Sequence, residues 1–295
     1  MDDQKRGYIY AVVSVLLWST VASAFKITLK QLDVLQLLLI SSITSLLVLF
    51  VFSYKKLGVL RRYHLRDYLY SLPLGFLNPS LYYLVLFKAY SLLPAQEAQA
   101  LNYTWPLIVV ILSIPILNQK VTIVEIIGMV IGFLGVLLVV THGDIKVLWR
   151  GELIGVTLAL TSAVIWSIYW LLTIRCSGDE TIRLLLNFSF GLIPISILYF
   201  LTMQQFNINT LGLLGGVYVG VFEMGLTFTV WLKALSYSST TTQVSILIYL
   251  VPFLSLFFIH FFVGEEIYIT TILGLILILI GIILTRYQNI LYHKK

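Results

Sequence analysis

Charge is scarce in this chain. Asp, Glu, Lys and Arg make up 11% of its 295 residues, against about 25% in a soluble domain. Hydrophobic residues make up 59%, so readings as one or two soluble domains are excluded. Cysteine is almost absent. The single Cys176 rules out an intramolecular disulfide and offers no metal cluster. No metal-ligand spacing, phosphate-binding loop or nucleophile elbow occurs, so no catalytic residue, metal or cofactor is expected. The net charge of +6 does not point to nucleic acid, because the basic residues fall mainly in loops and flanks, where they set membrane topology. Lys5-Arg6, an apolar stretch and Ala22-Ser23-Ala24 resemble a secretory signal with its cleavage site. That reading is rejected, because cleavage would destroy a helix that belongs to an internal repeat.

What the chain has in quantity is long apolar runs. A span needs about 20 mostly apolar residues, and ten such runs are expected, at about 7–27, 34–54, 68–90, 95–117, 122–141, 152–174, 182–203, 211–233, 240–262 and 268–287. The expected fold is an all-α polytopic membrane protein with the lipid bilayer as its surroundings. The connections are too short for an extramembrane domain. A linker over 143–151, with Gly143, Asp144 and Gly151, divides a first repeat (1–142, spans 1 to 5) from a second (152–295, spans 6 to 10).

The two units carry the same marks. Trp18-Ser19 recurs as Trp166-Ser167, Lys88-Ala89 as Lys233-Ala234, and Pro106, Gly128 and Gly135 as Pro252, Gly274 and Gly281. An odd number of spans per unit places the second copy upside down, the architecture of carriers that alternate access around a central site. Fourteen of the nineteen basic residues gather at one set of span ends when the N-terminus is placed inside. The positive-inside rule then puts both termini in the cytoplasm of a plasma-membrane protein. Lys88 should sit at an outer end and its partner Lys233 at an inner one.

Ionisable groups inside a span are functional candidates, because hydrocarbon makes them costly. Glu223 stands near the middle of span 8, as a buried glutamate held by neighbouring helices or as a site residue that binds a substrate amine or carries a proton. Its repeat partner is Asn78 in span 3. Gly75, Asn78 and Tyr82 share a helix face, as do Gly220, Glu223 and Thr227. In span 4, Gln96, Gln99, Asn102, Tyr103 and Pro106 form a stripe, matched in span 9 by Thr242, Ser245, Ile248, Tyr249 and Pro252. A recurring polar stripe reads either as the wall of a shared water-filled cavity or as interhelical hydrogen-bond glue, worth about 0.6 kcal/mol per contact.

Trp18 and Trp166 lie midway along spans 1 and 6, although tryptophan favours membrane interfaces. At that depth they suggest a protein-facing wall, to which Tyr82, Tyr83, Trp105, Tyr169 and Trp170 add aromatic surface. Glu97 falls off the polar stripe and could pair with Lys26 or Lys88 as an outer-gate ion pair. Pro106 and Pro252, inside spans, are either hinges or static bends. Gly128, Gly132 and Gly135 in span 5, and Gly274 and Gly281 in span 10, allow close helix approach between halves or between subunits. His260 reads as a hydrogen-bonded helix residue.

These residues resemble a known family. Leu16-Leu17-Trp18-Ser19, the Lys-Ala-Leu of 233–235, Pro252, Gly264-Glu265, Gly274 and Gly281 are similar to the EamA domain of the drug/metabolite transporter superfamily, over both halves. Asn102-Tyr103-Thr104-Trp105-Pro106 followed by Asn118-Gln119-Lys120 resembles the aromatic amino-acid exporter branch, although Asn118-Gln119 departs from the usual Gly-Glu. The resemblance implies a ten-helix inverted-repeat carrier, with a cavity lined mostly by spans 1, 3, 4, 6, 8 and 9. Trp18, Tyr82, Tyr103, Trp105, Trp166, Glu223 and Tyr249 fall there.

The expected function is a secondary transporter that exports amino acids or related small metabolites, as a monomer or homodimer with a small-molecule solute and no nucleic-acid partner. A carrier of nucleotide-sugars or lipid-linked solutes is the alternative, but such anions should want basic residues in the cavity. An intramembrane enzyme would need a nucleophile–base pair or a metal cluster at one depth, and Glu223 has no deep histidine beside it.

Overall fold

The computed structural model describes residues 3–117, 122–144, 153–174, 176, 178–202, 209–238 and 246–292, with side chains to 284 at the C-terminal end. Ser245 and Thr242, the segment Asn118-Gln119-Lys120 and most of the 143–151 linker lie outside the described residues.

The described residues form helices and no strand. The bundle opens with α1 (Asp3–Thr28), α2 (Val34–Ser53), a 3-10 stretch (Tyr54–Arg62) and α3 (Leu65–Gly75). A π-helical segment (Phe76–Leu81) joins α3 to α4 (Tyr82–Leu92), followed by α5 (Ala95–Asn102), α6 (Trp105–Leu117) and α7 (Ile123–Thr141). Then come α8 (Leu153–Thr173), α9 (Glu180–Leu201), α10 (Thr210–Val219), a second π segment (Gly220–Gly225) and α11 (Leu226–Tyr237). A 3-10 turn (Ile246–Leu250), α12 (Val251–Phe258), a third π segment (Ile259–Val263) and α13 (Ile269–Tyr292) complete it. Among the described residues, seven helices are long and apolar enough to cross a membrane, and Leu247–Val263 and Ile269–Leu284 are shorter apolar helices. The chain is therefore a polytopic helical membrane protein.

Local chemistry sets where the helices begin. The Asp33 carboxylate accepts from the backbone N–H of Leu35 (2.8 Å) and Gln36 (2.9 Å), while the Asp33 N–H donates back to Gln36 Oε1 (3.1 Å). This capping box satisfies donors that a helix start leaves open. Thr122 and Glu125 build a second box at α7, and Asn209 caps α10 through the Gly212 N–H (2.6 Å). Asp179 caps α9 through the N–H groups of Thr181 (3.0 Å) and Ile182 (3.2 Å), and takes a 2.7 Å bond from Lys56.

The packing comes in matched pairs. The α1 helix lies on α11 as α8 lies on α4, and α2 lies on the Gly220–Gly225 segment as α9 lies on the Phe76–Leu81 segment. Likewise α1 meets α12 as α8 meets α6, while α7 and α13 pack on each other most extensively. Lys88 borders a groove with Leu29 and Asp33, where α1 has ended. Lys233 instead sits 5.9 Å over the Tyr10 ring, near the start of α1. The two lysines thus occupy opposite ends of the bundle.

Glycine makes the α7–α13 contact possible. A Cβ on Gly135 would stand 2.6 Å from the Gly274 carbonyl oxygen, and one on Gly281 would stand 2.5 Å from that of Gly128. The sequence left these glycines open to packing between halves or between subunits; within this chain they join α7 to α13.

Two measurements check this scaffold. Gly135→Leu, which overpacks a backbone contact at a cost of about 1–3 kcal/mol or more, should lower the unfolding temperature of the detergent-purified protein by several degrees. Gly58→Ala, with open space around it, should leave it unchanged. At Asp179, burial pushes the carboxyl pKa up, but the Lys56 ammonium and the Ile182 and Thr181 N–H groups outweigh burial and hold it below its ordinary value of 3.8. The cap therefore contributes fully above that value and is lost as pH falls through the lower folded-state value. Asp179→Ala should cost about 1 kcal/mol at neutral pH, and the gap to the unaltered protein should close in unfolding scans taken below about pH 4.

Candidate functional site

The site is built where two long helices are interrupted. Between α3 and α4, Asn78 has extended backbone angles (φ −141, ψ 115) inside the π segment. Between α10 and α11, the second π segment carries Glu223 at the matching position, 145 residues later. In hydrocarbon an open carbonyl needs a partner from the protein, and hydroxyls supply it. Ser80 Oγ donates to the carbonyls of Gly75 (3.0 Å) and Gly191 (2.8 Å). Thr227 donates to Phe222 O, and Thr229 to Gly225 O at 3.2 Å. Gly75 and Gly220 bring the interrupted helices against the backbone of α9 and α2, at Asn187 and Ser41 respectively. The breaks are thus supported from behind, and Tyr82, just after the first, and Glu223, in the second, look into the bundle.

There they meet a cavity of about 390 Å³, within the size range of small-molecule sites. Glu223 and Tyr82 line it, with Trp18 and Trp166 from α1 and α8. Gln99, Asn102, Tyr103 and Trp105 line it from α5 and the turn into α6. The rings are in contact. Tyr82 lies 4.8 Å from Trp166, Trp166 5.9 Å from Phe228, and Phe228 5.6 Å from Trp18, which in turn lies 5.6 Å from Trp231. Across the cavity Trp105 stacks on Trp170 at 6.3 Å.

The polar groups of the wall are held in place. Tyr83, fully buried behind Tyr82, donates its hydroxyl to Glu223 Oε1 at 3.0 Å. The Tyr82 hydroxyl reaches Asn102 Oδ1 at 3.4 Å, and Asn102 Nδ2 donates to Ser162 at 2.9 Å. Gln99 Nε2 donates to Ser255 at 2.7 Å. Ser167 Oγ bonds the Trp105 carbonyl at 2.9 Å. The Gln99 and Asn102 bonds tie α5 to α12 and α8, and Glu223 is tied to α4.

Other residues singled out in the sequence stand elsewhere. Asn78 is fully buried and Tyr249 nearly so, and both lie outside the cavity lining. Gln96 turns away from the stripe, donating to Glu266 O (2.7 Å) and accepting from the Tyr268 N–H (3.1 Å). Glu97, expected to pair with Lys26 or Lys88, has a further neighbour. Glu97 bonds His142 Nε2 at 3.0 Å, and His142 contacts Thr270 through Nδ1 (3.2 Å) and lies against the Tyr268 ring. Lys26 donates to the carbonyls of Tyr90 (2.9 Å) and Leu93 (2.6 Å) at the end of α4, where open carbonyls favour a cation. Lys88 is exposed. Pro106 and Pro252 sit in the first turns of α6 and α12, each just after a break in its span. There the missing N–H leaves no gap in the helical ladder. His260 Nδ1 lies 3.1 Å from Glu265 O.

Comparison with known proteins decides the affiliation. The EamA-like transporter family matches residues 5–141 and again residues 153–287. The chain belongs to the EamA-like transporter family. An uncharacterized transporter of Clostridium kluyveri is 24% identical over 97% of this chain and 94% of its own length. One from Acidianus ambivalens is 32% identical over 69% of this chain and 79% of its own length. The uncharacterized transporter YoaV of Bacillus subtilis is 24% identical over 94% of this chain and 95% of its own. A crystal structure with a TM-score of 0.65 covers 96% of this chain and 98% of that one at 20% identity, a likeness of fold alone. Transport across a membrane, and not catalysis, is what this family and these names point to.

In this EamA-family chain the sequence reading did not reach Phe228, Trp231 and Tyr90 as wall residues, or Tyr83 as the partner of Glu223. Phe228 and Trp231 lie five and eight residues after Glu223, a register that a break in the helix shifts relative to an unbroken one. Cysteine accessibility tests the wall. In a Cys176→Ser background, Val109→Cys and Ile248→Cys, both on the lining, should react with a small polar thiol reagent. Asn78→Cys, at a fully buried position, should react at least tenfold more slowly.

Proposed function

We propose that this EamA-family chain is a secondary transporter that exports amino acids or related small metabolites across the cytoplasmic membrane. It has ten spans in two inverted five-span repeats, over 1–142 and 152–295, with both termini cytoplasmic. The solute binds in the midplane cavity, and the two halves rock about it to expose it to either side. The matched packing of α1 on α11 and α8 on α4, and the opposed ends at which Lys88 and Lys233 sit, support the inverted repeat. The basic bias of the loops supports the orientation.

The observation that carries the reading is the cavity itself. It is a small aromatic chamber between two interrupted helices, with one carboxylate in its wall. Broken helices at a repeat interface are where carriers of this architecture bind solute. Trp18, Tyr82, Gln99, Asn102, Tyr103, Trp105, Trp166 and Glu223 form the solute wall. Ser245, Asn78 and Tyr249 act around it, and Glu223 serves coupling or amine binding. The breaks before Pro106 and Pro252 supply bending points in spans 4 and 9. The alternative, a carrier of nucleotide-sugars or lipid-linked anions, has less support, since no basic residue is among the described lining residues.

Uptake and counterflow in proteoliposomes, run against a panel of amino acids and amines with and without a pH gradient, test this reading. Saturable flux of at least one solute is expected. Glu223→Gln should lower that flux at least tenfold and abolish its pH dependence. Flux and pH dependence that survive the substitution would remove Glu223 from the coupling role.

A further inference from the structure

We propose that the solute is a small organic cation with an aromatic or apolar body and no carboxylate. This rests on the cavity being the transport site and narrows its substrate class. Among the described lining residues, Glu223 is the one charged group, and no lysine, arginine or histidine faces the chamber. Of the described bases near its ends, Lys26 holds the Tyr90 and Leu93 carbonyls, and Lys233 lies over the Tyr10 ring.

Charge balance follows from this. A carboxylate in a low-dielectric chamber is favourable only when paired. Tyr83 gives Glu223 one hydrogen bond, to Oε1, and among the described residues Oε2 takes none. A bound ammonium would complete the pair. A zwitterion brings a second carboxylate into the same chamber, where it meets Glu223 as a like charge and finds no cation. Gln99 and Asn102 each already spend one amide N–H, on Ser255 and Ser162, and neither carries the positive charge a carboxylate would need.

The rings complete the match. Trp18, Trp166, Tyr82, Phe228 and Trp231 form a contiguous aromatic wall that also includes Glu223 in the same lining. Aromatic faces attract cations within about 6 Å, and aromatic cages are how quaternary ammonium ligands are recognised. The same rings give an apolar body its contact surface. A cation with an aromatic tail thus uses every part of this wall, whereas an amino acid leaves its carboxylate unmatched.

A matched pair of probes isolates the carboxylate. Phenethyltrimethylammonium is a permanent cation that cannot shed a proton and cross the bilayer unaided. Phenylalanine N-trimethylbetaine differs from it by one carboxylate. Binding is read from quenching of tryptophan fluorescence in the purified protein, and transport from counterflow in proteoliposomes, with phenylalanine as a third solute. The cation should bind at least tenfold tighter than the betaine and exchange at least tenfold faster. Glu223→Gln should weaken the cation at least tenfold while changing the betaine less than twofold. Phe228→Leu, which removes one ring face and keeps the carboxylate, should weaken the cation about threefold. Unfolding temperatures close to that of the unaltered protein separate these effects from misfolding. Equal or tighter binding of the betaine overturns the proposal. Exchange of phenylalanine without the cation overturns it and leaves the carrier reading standing. No exchange of any of the three overturns the proposal, and no flux for any member of the wider panel removes the carrier reading as well.

Discussion

A backbone carbonyl that leaves its helical ladder inside a bilayer has no water to turn to. That constraint governs how this protein makes a cavity. Two long helices open near their middles, at the segments that carry Asn78 and Glu223, and each opening frees polar groups. The chain answers with short-range hydroxyls, Ser80 on one side and Thr227 and Thr229 on the other. Gly75 and Gly220 press the broken stretches against the backbone of α9 and α2. The cavity exists because these repairs are made from behind, leaving the front face free for aromatic rings.

The architecture was legible in the sequence because its causes are periodic and composition-based. Long apolar runs, a doubled Trp-Ser pair and a doubled Lys-Ala pair need no three-dimensional knowledge. Much of the wall was legible for the same reason: Trp18, Trp166, Tyr82 and Glu223 are out of place at mid-span, and all four face the cavity. Periodicity does not report where a helix breaks. Asn78 and Glu223 match by repeat position and both fall in π segments, yet Glu223 lines the cavity and Asn78 does not. Pro106 and Pro252 lie in the first turns of α6 and α12.

Charge pairing was the least legible property. Glu97, Lys26 and Lys88 gather near one end of their helices, and proximity along the helices suggested an ion pair. Further partners join them. His142, held in a left-handed turn at the end of α7 (φ 50), brings an imidazole to Glu97. The α4 C-terminus offers its open carbonyls to Lys26. Both partners depend on where helices stop, which periodicity does not report.

The loop after α12 has a consequence for motion. Glu265 accepts from the first backbone amides of α5, Ala95 at 2.8 Å and Gln96 at 3.3 Å, and Gln96 bonds back to Glu266 and Tyr268. A helix start in one half of the chain is thereby capped by a loop of the other. The segment that carries Gln99, Asn102 and Tyr103 to the cavity is clamped to the approach of the final helix. At this end, any rearrangement has to carry α5 and that loop as one body, or break four hydrogen bonds at once. The joint between the halves is therefore stiff at this end.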